Sequence, residues 1–81
     1  MLNQTVLSFL NQAAAEAHVK LPEGDGSLFL SGVLDSFTLV DFVTVIEGEY
    51  GIRVDDRDLR PENFDTIRKV ESFVARAREE N

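Results

Sequence analysis

One segment of the sequence, residues 37–50, constrains the fold more than any other. Its apolar side chains form one stripe at the spacing of a helix face, although several of its residues are β-branched. The segment lacks the strict alternation of a strand and is too long for one. Either Asp35 or Ser36 can serve as the helix N-cap, and Gly51 fits the left-handed stop position. The stripe consists of Leu39, Phe42, Val43, Ile46 and Tyr50.

Helical spacing recurs on both sides of this segment. Apolar residues in the range 2–17 follow steps of three and four. A short helix can begin with Pro61 and continue to Phe64, and Asp65 or Thr66 can then cap a last helix. The prediction is an all-α fold, a small four-helix bundle with three main helices and one short helix. The stripe of the last helix is Ile67, Val70, Val74 and Ala77, with Phe73 beside it.

A long connection, residues 18–35, separates the first two helices. Pro22 and three glycines within it break helices. Loops of this length without regular structure are uncommon in compact domains, and those that occur are often functional or disordered. Apolar residues at 28–30, 33 and 34 predict that this loop packs onto the core. An ordered loop that leads into a helix is a typical place for function.

The composition limits what the chain can do. Its 81 residues predict a single domain, spanning 1–81, with one thin core and no deep, walled active site. Fifteen acidic residues against eight basic ones give a net charge of −7. Binding a phosphate backbone needs clustered basic residues, so nucleic acid is not expected as a partner. The charge either favours basic partner surfaces or serves solubility alone.

The residue types that are missing narrow the choice further. The sequence contains no cysteine, which excludes a disulfide framework, a thiolate metal site and a cysteine nucleophile. No basic leader followed by an apolar run is visible, and no run reaches the 18 apolar residues of a membrane span. The expectation is a soluble, cytoplasmic protein without membrane insertion.

Ser36 is the candidate functional residue. Spacing alone favours a structural interpretation, in which Asp35 and Ser36 form an N-cap pair. The same position, at a helix N-terminus with free N–H groups and a positive dipole end, would also tolerate a phosphodiester. A hydrolase is disfavoured, because a serine nucleophile needs a histidine within hydrogen-bond reach. The single histidine, His18, lies at the end of the first helix, where we expect it to be solvated, and the Gly-x-Ser-x-Gly elbow is absent.

Two charged clusters predict no specific site. The aspartates at 55, 56 and 58 resemble a calcium loop at first sight. A loop that begins at Asp56 would place Pro61 where glycine is required and Ile67 where a bidentate glutamate is required. No metal site is therefore predicted, and only loose divalent binding stays open. The basic residues of the last helix are interpreted as a solvated face: Arg68, Lys69, Arg76 and Arg78.

Residues 28–37 resemble the attachment segment of acyl carrier proteins. In that family an Asp-Ser pair followed by a bulky apolar residue opens the second helix, and the serine carries 4′-phosphopantetheine. The resemblance implies that Ser36 carries this arm, with Asp35 as the flanking residue of the motif. The similarity covers about residues 28–75, and it continues through residues 39–50, 51–54 and 61–67.

The resemblance implies an acyl or aminoacyl carrier that is not itself an enzyme. A phosphopantetheinyl transferase would move the arm from coenzyme A to Ser36. The thiol of the arm would then hold cargo as a thioester for acyl- or aminoacyl-activating and acyl-transferring enzymes. Carriers of this family are usually monomers, so a monomer is expected here.

Two positions depart from the pattern of fatty-acid carriers. Thr38 stands where those carriers have an acidic residue, and Gly48 stands where a further acid is common. These departures favour a specialised pathway, or an amino acid cargo, over housekeeping fatty-acid synthesis. Fatty acid, polyketide and aminoacyl pathways all stay open at this point.

Matching to the family also predicts a partner-binding face, formed by Phe37, Val40, Asp41, Thr44 and Glu47. These residues lie off the core stripe and combine apolar with acidic side chains, which suits a partner with a basic rim and a shallow apolar pocket. The alternative is that Phe37 and Val40 are core residues. A second function also stays open, namely an unmodified helical adaptor that uses this strip only for protein contact.

Overall fold

The fold is described from a computed structural model, which covers residues 2–80 and side chains through residue 79. The all-α prediction is confirmed, and no strand occurs in residues 2–80. A short 3-10 helix, Asp56–Asp58, was not predicted. The four helices are α1 (Gln4–Glu16), α2 (Ser36–Tyr50), the one-turn α3 (Pro61–Phe64) and α4 (Ile67–Glu80).

The first helix begins later than its apolar pattern does. The Asn3 side chain accepts a hydrogen bond from the Val6 N–H at 2.9 Å and so caps α1. At the other end, His18 adopts a left-handed conformation with φ of 58°. The Val19 N–H then donates to the Ala14 carbonyl at 3.0 Å, which is the hydrogen bond of a Schellman end. His18 is exposed, as expected for a histidine at a solvated helix end.

The stripe predicted for α2 forms the centre of the core. Its first four residues are buried, and the fifth, Tyr50, is half-buried with its hydroxyl accepting the Asn3 N–H at 2.8 Å. Gly51 ends the helix with φ of 64°, the left-handed stop that was predicted. Within the bundle, α2 contacts all three other helices.

Two aromatic pairs join the helices across this core. Phe9 of α1 stacks on Phe42 of α2 with ring centroids 5.6 Å apart. Phe64 of α3 packs against Phe73 of α4 at 5.1 Å. Such contacts add to the burial of the rings themselves. The side chains with no exposed surface at all are Val6, Leu10, Leu28, Phe42, Ile46, Phe64 and Val70.

The long connection packs onto the core, but not with every apolar residue. Leu28, Val33 and Leu34 are buried, and Phe29 is half-buried. Leu30 is 92% exposed, so the expectation that it packs down is wrong. It lies at the outer side of a turn, since the Ser31 N–H donates back to the carbonyl of residue 27 at 3.2 Å.

Two further findings concern residues 2–80 only. No helix in this range is long and apolar enough to cross a membrane. No three of its histidine, aspartate and glutamate side chains converge as a metal ion would need. In the aspartate-rich segment, Asp55 instead caps the 3-10 helix and pairs with Arg57 at 3.2 Å.

Candidate functional site at the start of the second helix

Asp35 alone caps α2, and Ser36 is the first residue inside the helix. The Asp35 carboxylate accepts the N–H groups of Phe37 and Thr38, both at 2.9 Å. The Thr38 hydroxyl in return accepts the Asp35 N–H at 2.7 Å, which completes a capping box. Asp35 and Ser36 were both candidates for the N-cap, and Thr38, three residues after Asp35, was the sequence signal that could have decided between them.

These hydrogen bonds also fix the charge of the cap. The Thr38 N–H, the Thr38 hydroxyl and the Phe37 N–H, in that order of importance, lower the pKa of Asp35 below its usual range. They correct the expectation that the N–H groups of the first turn are free, because two of them are already bound. A phosphate on Ser36 would therefore be held by its covalent bond rather than by those two N–H groups.

The Ser36 side chain has no part in the cap. It is exposed, and no side chain of residues 2–79 forms a hydrogen bond with its hydroxyl. A serine becomes a nucleophile on its own only when a neighbouring base activates it. The arrangement thus presents an exposed hydroxyl, and the side chains of residues 2–79 offer that hydroxyl no base.

Exposed apolar side chains surround Ser36 in the sequence. Phe37 is 84% exposed, Val40 is 52% exposed, and Leu30 precedes them on the loop. The only other large apolar side chain exposed in the described part of the chain is Val19. Clustered exposure of this kind marks interaction sites more often than scattered residues do. Leu30 was not predicted to be exposed, because its apolar character pointed to the core.

The five residues predicted for a partner face differ in their exposure to solvent. Phe37, Val40, Asp41 and Thr44 lie on the solvent side of α2, so the alternative that Phe37 and Val40 are core residues is wrong. Glu47 is half-buried, and its carboxylate accepts the Val54 N–H at 2.8 Å. Glu47 therefore holds the chain that follows α2, in addition to any contact it makes with a partner.

The chain enters α2 through a tight turn. Gly32 has φ of 92°, a conformation that favours glycine. Val33 and Leu34 then bury their side chains, and the Leu34 N–H donates to the Leu28 carbonyl at 3.0 Å. The position of Ser36 is thus fixed from both sides, by the loop before it and by the cap of the helix that it begins.

Comparison with known families agrees with this geometry. The family model described as phosphopantetheine attachment site matches residues 8–74. No match to a curated protein or to a solved structure was found. Since the matched range covers most of the chain, the protein belongs to this family, the acyl carrier protein family of domains. Domains of this family are carriers that hold 4′-phosphopantetheine covalently, and they are generally not catalysts.

Proposed function

We propose that Ser36 is the attachment point of the phosphopantetheine arm and that the chain, a single carrier domain, presents acyl or aminoacyl groups to partner enzymes. The observation that supports this most directly is the Ser36 hydroxyl itself. It is exposed, free of hydrogen bonds within residues 2–79, and placed at the start of a helix that Asp35 caps without its help.

The attachment uses chemistry supplied by another enzyme. A transferase would take the proton of the Ser36 hydroxyl, and the Ser36 oxygen would form a new bond to the phosphorus next to the pantetheine of coenzyme A. The bond from that phosphorus to the nucleotide would break, releasing adenosine 3′,5′-bisphosphate. Once attached, the arm supplies a terminal thiol that holds cargo as a thioester. This chain contributes the exposed hydroxyl and the rigid helix start that carries it.

Partners are expected to dock beside Ser36. Phe37, Val40 and Asp41 offer an apolar and acidic surface there, which suits a transferase or acyl-transferring enzyme with a basic rim. Tethering raises the effective concentration of the cargo at those partners. Because Thr38 is occupied in the cap and Gly48 offers no charge, we favour a specialised acyl or aminoacyl pathway over fatty-acid synthesis. The protein would act in the cytoplasm as a monomer.

The test is modification of the purified chain. Incubation with a phosphopantetheinyl transferase and coenzyme A should raise the intact mass by one phosphopantetheine group. Ser36→Ala should show no increase, whereas Ser72→Ala, which removes another exposed hydroxyl on α4, should be modified like wild type. An unmodified wild-type chain, or a modified Ser36→Ala chain, would refute the assignment.

The adaptor remains the second candidate, because the exposed apolar pair Phe37 and Val40 would serve protein contact with or without an arm. The two functions separate in a pull-down from the native host that compares wild type with Ser36→Ala. A carrier loses its thioester-dependent partners when the serine is removed. An adaptor keeps all of them, and the wild-type chain recovered from the host carries no arm.

A further inference from the structure

Asp65, between α3 and α4, is bonded to the loop that leads to Ser36. Its carboxylate accepts the Ser27 hydroxyl at 2.6 Å and the Phe29 N–H at 3.2 Å. Its backbone carbonyl accepts the Leu28 N–H. The Ser27 hydroxyl oxygen in turn accepts the Leu30 N–H at 2.9 Å. One aspartate therefore holds four consecutive residues of the loop, directly or through Ser27.

Asp65 is free to do this because its neighbour caps the next helix. The Thr66 hydroxyl accepts the Lys69 N–H at 3.0 Å, which is the N-cap bond of α4. The sequence left Asp65 and Thr66 as equal candidates for that role. Arg68 of α4 makes a second connection to the loop. Its N–H donates to the Gly24 carbonyl at 3.1 Å, and its guanidinium pairs with Asp25 at 3.3 Å. The ion pair is exposed and adds little.

The held segment continues directly into the candidate attachment site. The hydrogen bond from the Leu34 N–H to the Leu28 carbonyl closes the turn, and Asp35 and Ser36 follow at once. A protein partner covers about 800 Å² of each surface that it binds. An enzyme that acts on Ser36 would therefore cover part of this loop, including the exposed Leu30.

We propose that Asp65 is a positioning residue for the modification of Ser36, acting by holding residues 27–34 in the conformation that the transferase binds. The inference rests on the proposed function of Ser36. Asp65 does not touch the reacting hydroxyl, because it bonds only to Ser27, Leu28 and Phe29 in the loop. The capping box at Asp35 is made within residues 35–38 and includes no bond to Asp65, so Ser36 stays at the start of a capped helix when the loop opens.

Because Asp65 holds the loop and Asp35 holds the helix start, the loss of Asp65 should change the KM of the modification rather than its kcat. An open loop lowers the fraction of the chain that the transferase can bind, and the apparent affinity falls by that fraction. Once bound, the loop is ordered again and Ser36 reacts as before. We expect the KM of Asp65→Ala as a substrate to rise at least about fivefold, with kcat within about twofold of wild type. Asp65→Asn keeps an oxygen that accepts the same two hydrogen bonds, so its KM should stay within about twofold of wild type.

The experiment measures transfer from coenzyme A at varied carrier concentration for wild type, Asp65→Ala, Asp65→Asn and Ser27→Ala. The matched control is Asp55→Ala, which removes one negative charge and the cap of the 3-10 helix, and whose hydrogen bonds lie outside the loop. Circular dichroism establishes that each variant is folded at the assay temperature. A KM for Asp65→Ala equal to that of Asp55→Ala overturns the proposal. An Asp65→Asn variant as poor as Asp65→Ala also overturns it, because charge would then be the cause.

Amide exchange of the unmodified chain provides a readout that needs no transferase. The Phe29 and Leu30 amides should exchange faster in Asp65→Ala, while the Phe37 and Thr38 amides of the α2 cap keep their protection. Unchanged exchange at Phe29 and Leu30 would overturn the proposal. If wild type accepts no arm, the proposed function of Ser36 fails, whereas this exchange measurement still decides whether Asp65 holds the loop.

Discussion

Asp35 and Ser36 are adjacent residues with separate tasks. One caps the helix, and the other presents a free hydroxyl. Asp35 supplies the carboxylate that caps α2, and Ser36 supplies a hydroxyl with no structural duty. A serine that caps a helix has its oxygen engaged by a backbone N–H. Here that engagement has moved one residue back, which leaves the Ser36 oxygen exposed for the proposed attachment.

The cap makes a prediction about pH. The pKa of Asp35 is lowered in the folded chain, so its stabilising effect is fully present above the ordinary aspartate pKa of about 3.9. It is lost as the pH falls through the lowered value. We expect the Phe37 and Thr38 amides to keep their protection from neutral pH down to about pH 4, and to lose it in more acidic solution.

An NMR titration of the Asp35 carboxyl carbon measures this directly. Thr38→Val keeps the shape of the side chain but removes the hydroxyl that bonds to Asp35. The pKa of Asp35 in that variant should move back toward its ordinary value. A wild-type Asp35 that titrates at the ordinary value would contradict the capping geometry.

At the scale of the elements, α2 contains one glycine in its interior, Gly48, and ends at another, Gly51. Gly51 needs its left-handed φ of 64° to stop the helix. Gly48 lies inside the helix without a positive φ, and a Cβ added there would meet no atom within 4 Å. The two glycines are three residues apart, yet only Gly51 has a conformational reason to be glycine.

Alanine at these two positions should therefore have opposite effects. Gly48→Ala should raise the free energy of unfolding by about 0.5–1 kcal/mol, because alanine loses less backbone entropy in a helix. Gly51→Ala should lower it by about 1 kcal/mol, since a Cβ disfavours the left-handed conformation. Urea denaturation of the two variants, with equal m-values, provides the comparison. A stabilising Gly51→Ala would mean that α2 does not stop at this residue.

Over the whole molecule, charge is divided unevenly along the chain. The first 52 residues contain seven acidic residues and a single lysine, whereas the last 29 contain eight acidic and seven basic residues. Nearly all of the net charge of −7 therefore belongs to the part that contains α1, the long loop and α2. A basic partner would be steered toward that part.

Steering can be separated from total charge with a pair of lysine variants. Asp41→Lys changes the charge beside Ser36, and Glu79→Lys makes the same change near the end of α4, where Arg78 lies over the Tyr50 ring at the far end of α2. We expect Asp41→Lys to lower kcat/KM of the transferase roughly tenfold at low salt, and Glu79→Lys to lower it about twofold at most. The difference should shrink in 0.5 M salt. Equal effects of the two variants would assign the influence to net charge alone.

Much of this structure follows from local pattern, and the exceptions share a physical cause. The helical stripe, the stop at Gly51 and the proline start of α3 are written in neighbouring residues, and they are found as predicted. The exposure of Leu30 and the contacts of Asp65 with the loop were missed. Both involve hydrogen bonds outside the helices. Asp65 bonds to residues 36 to 38 positions away, and Leu30 lies on a turn closed by hydrogen bonds to Ser27. The bond of Glu47 to Val54 was missed for the same reason, since Val54 lies outside the helix.

The independence of Ser36 from the cap has a consequence for how such a chain could change over generations. Folding imposes no requirement for serine at position 36, because alanine would leave the Asp35 cap and the buried core unaltered. A descendant that lost the hydroxyl would keep its shape and the exposed apolar side chains of α2. If Ser36 holds the arm as proposed, only the chemistry of that arm retains the serine, and its loss would turn a carrier into a well-folded competitor for the same partners.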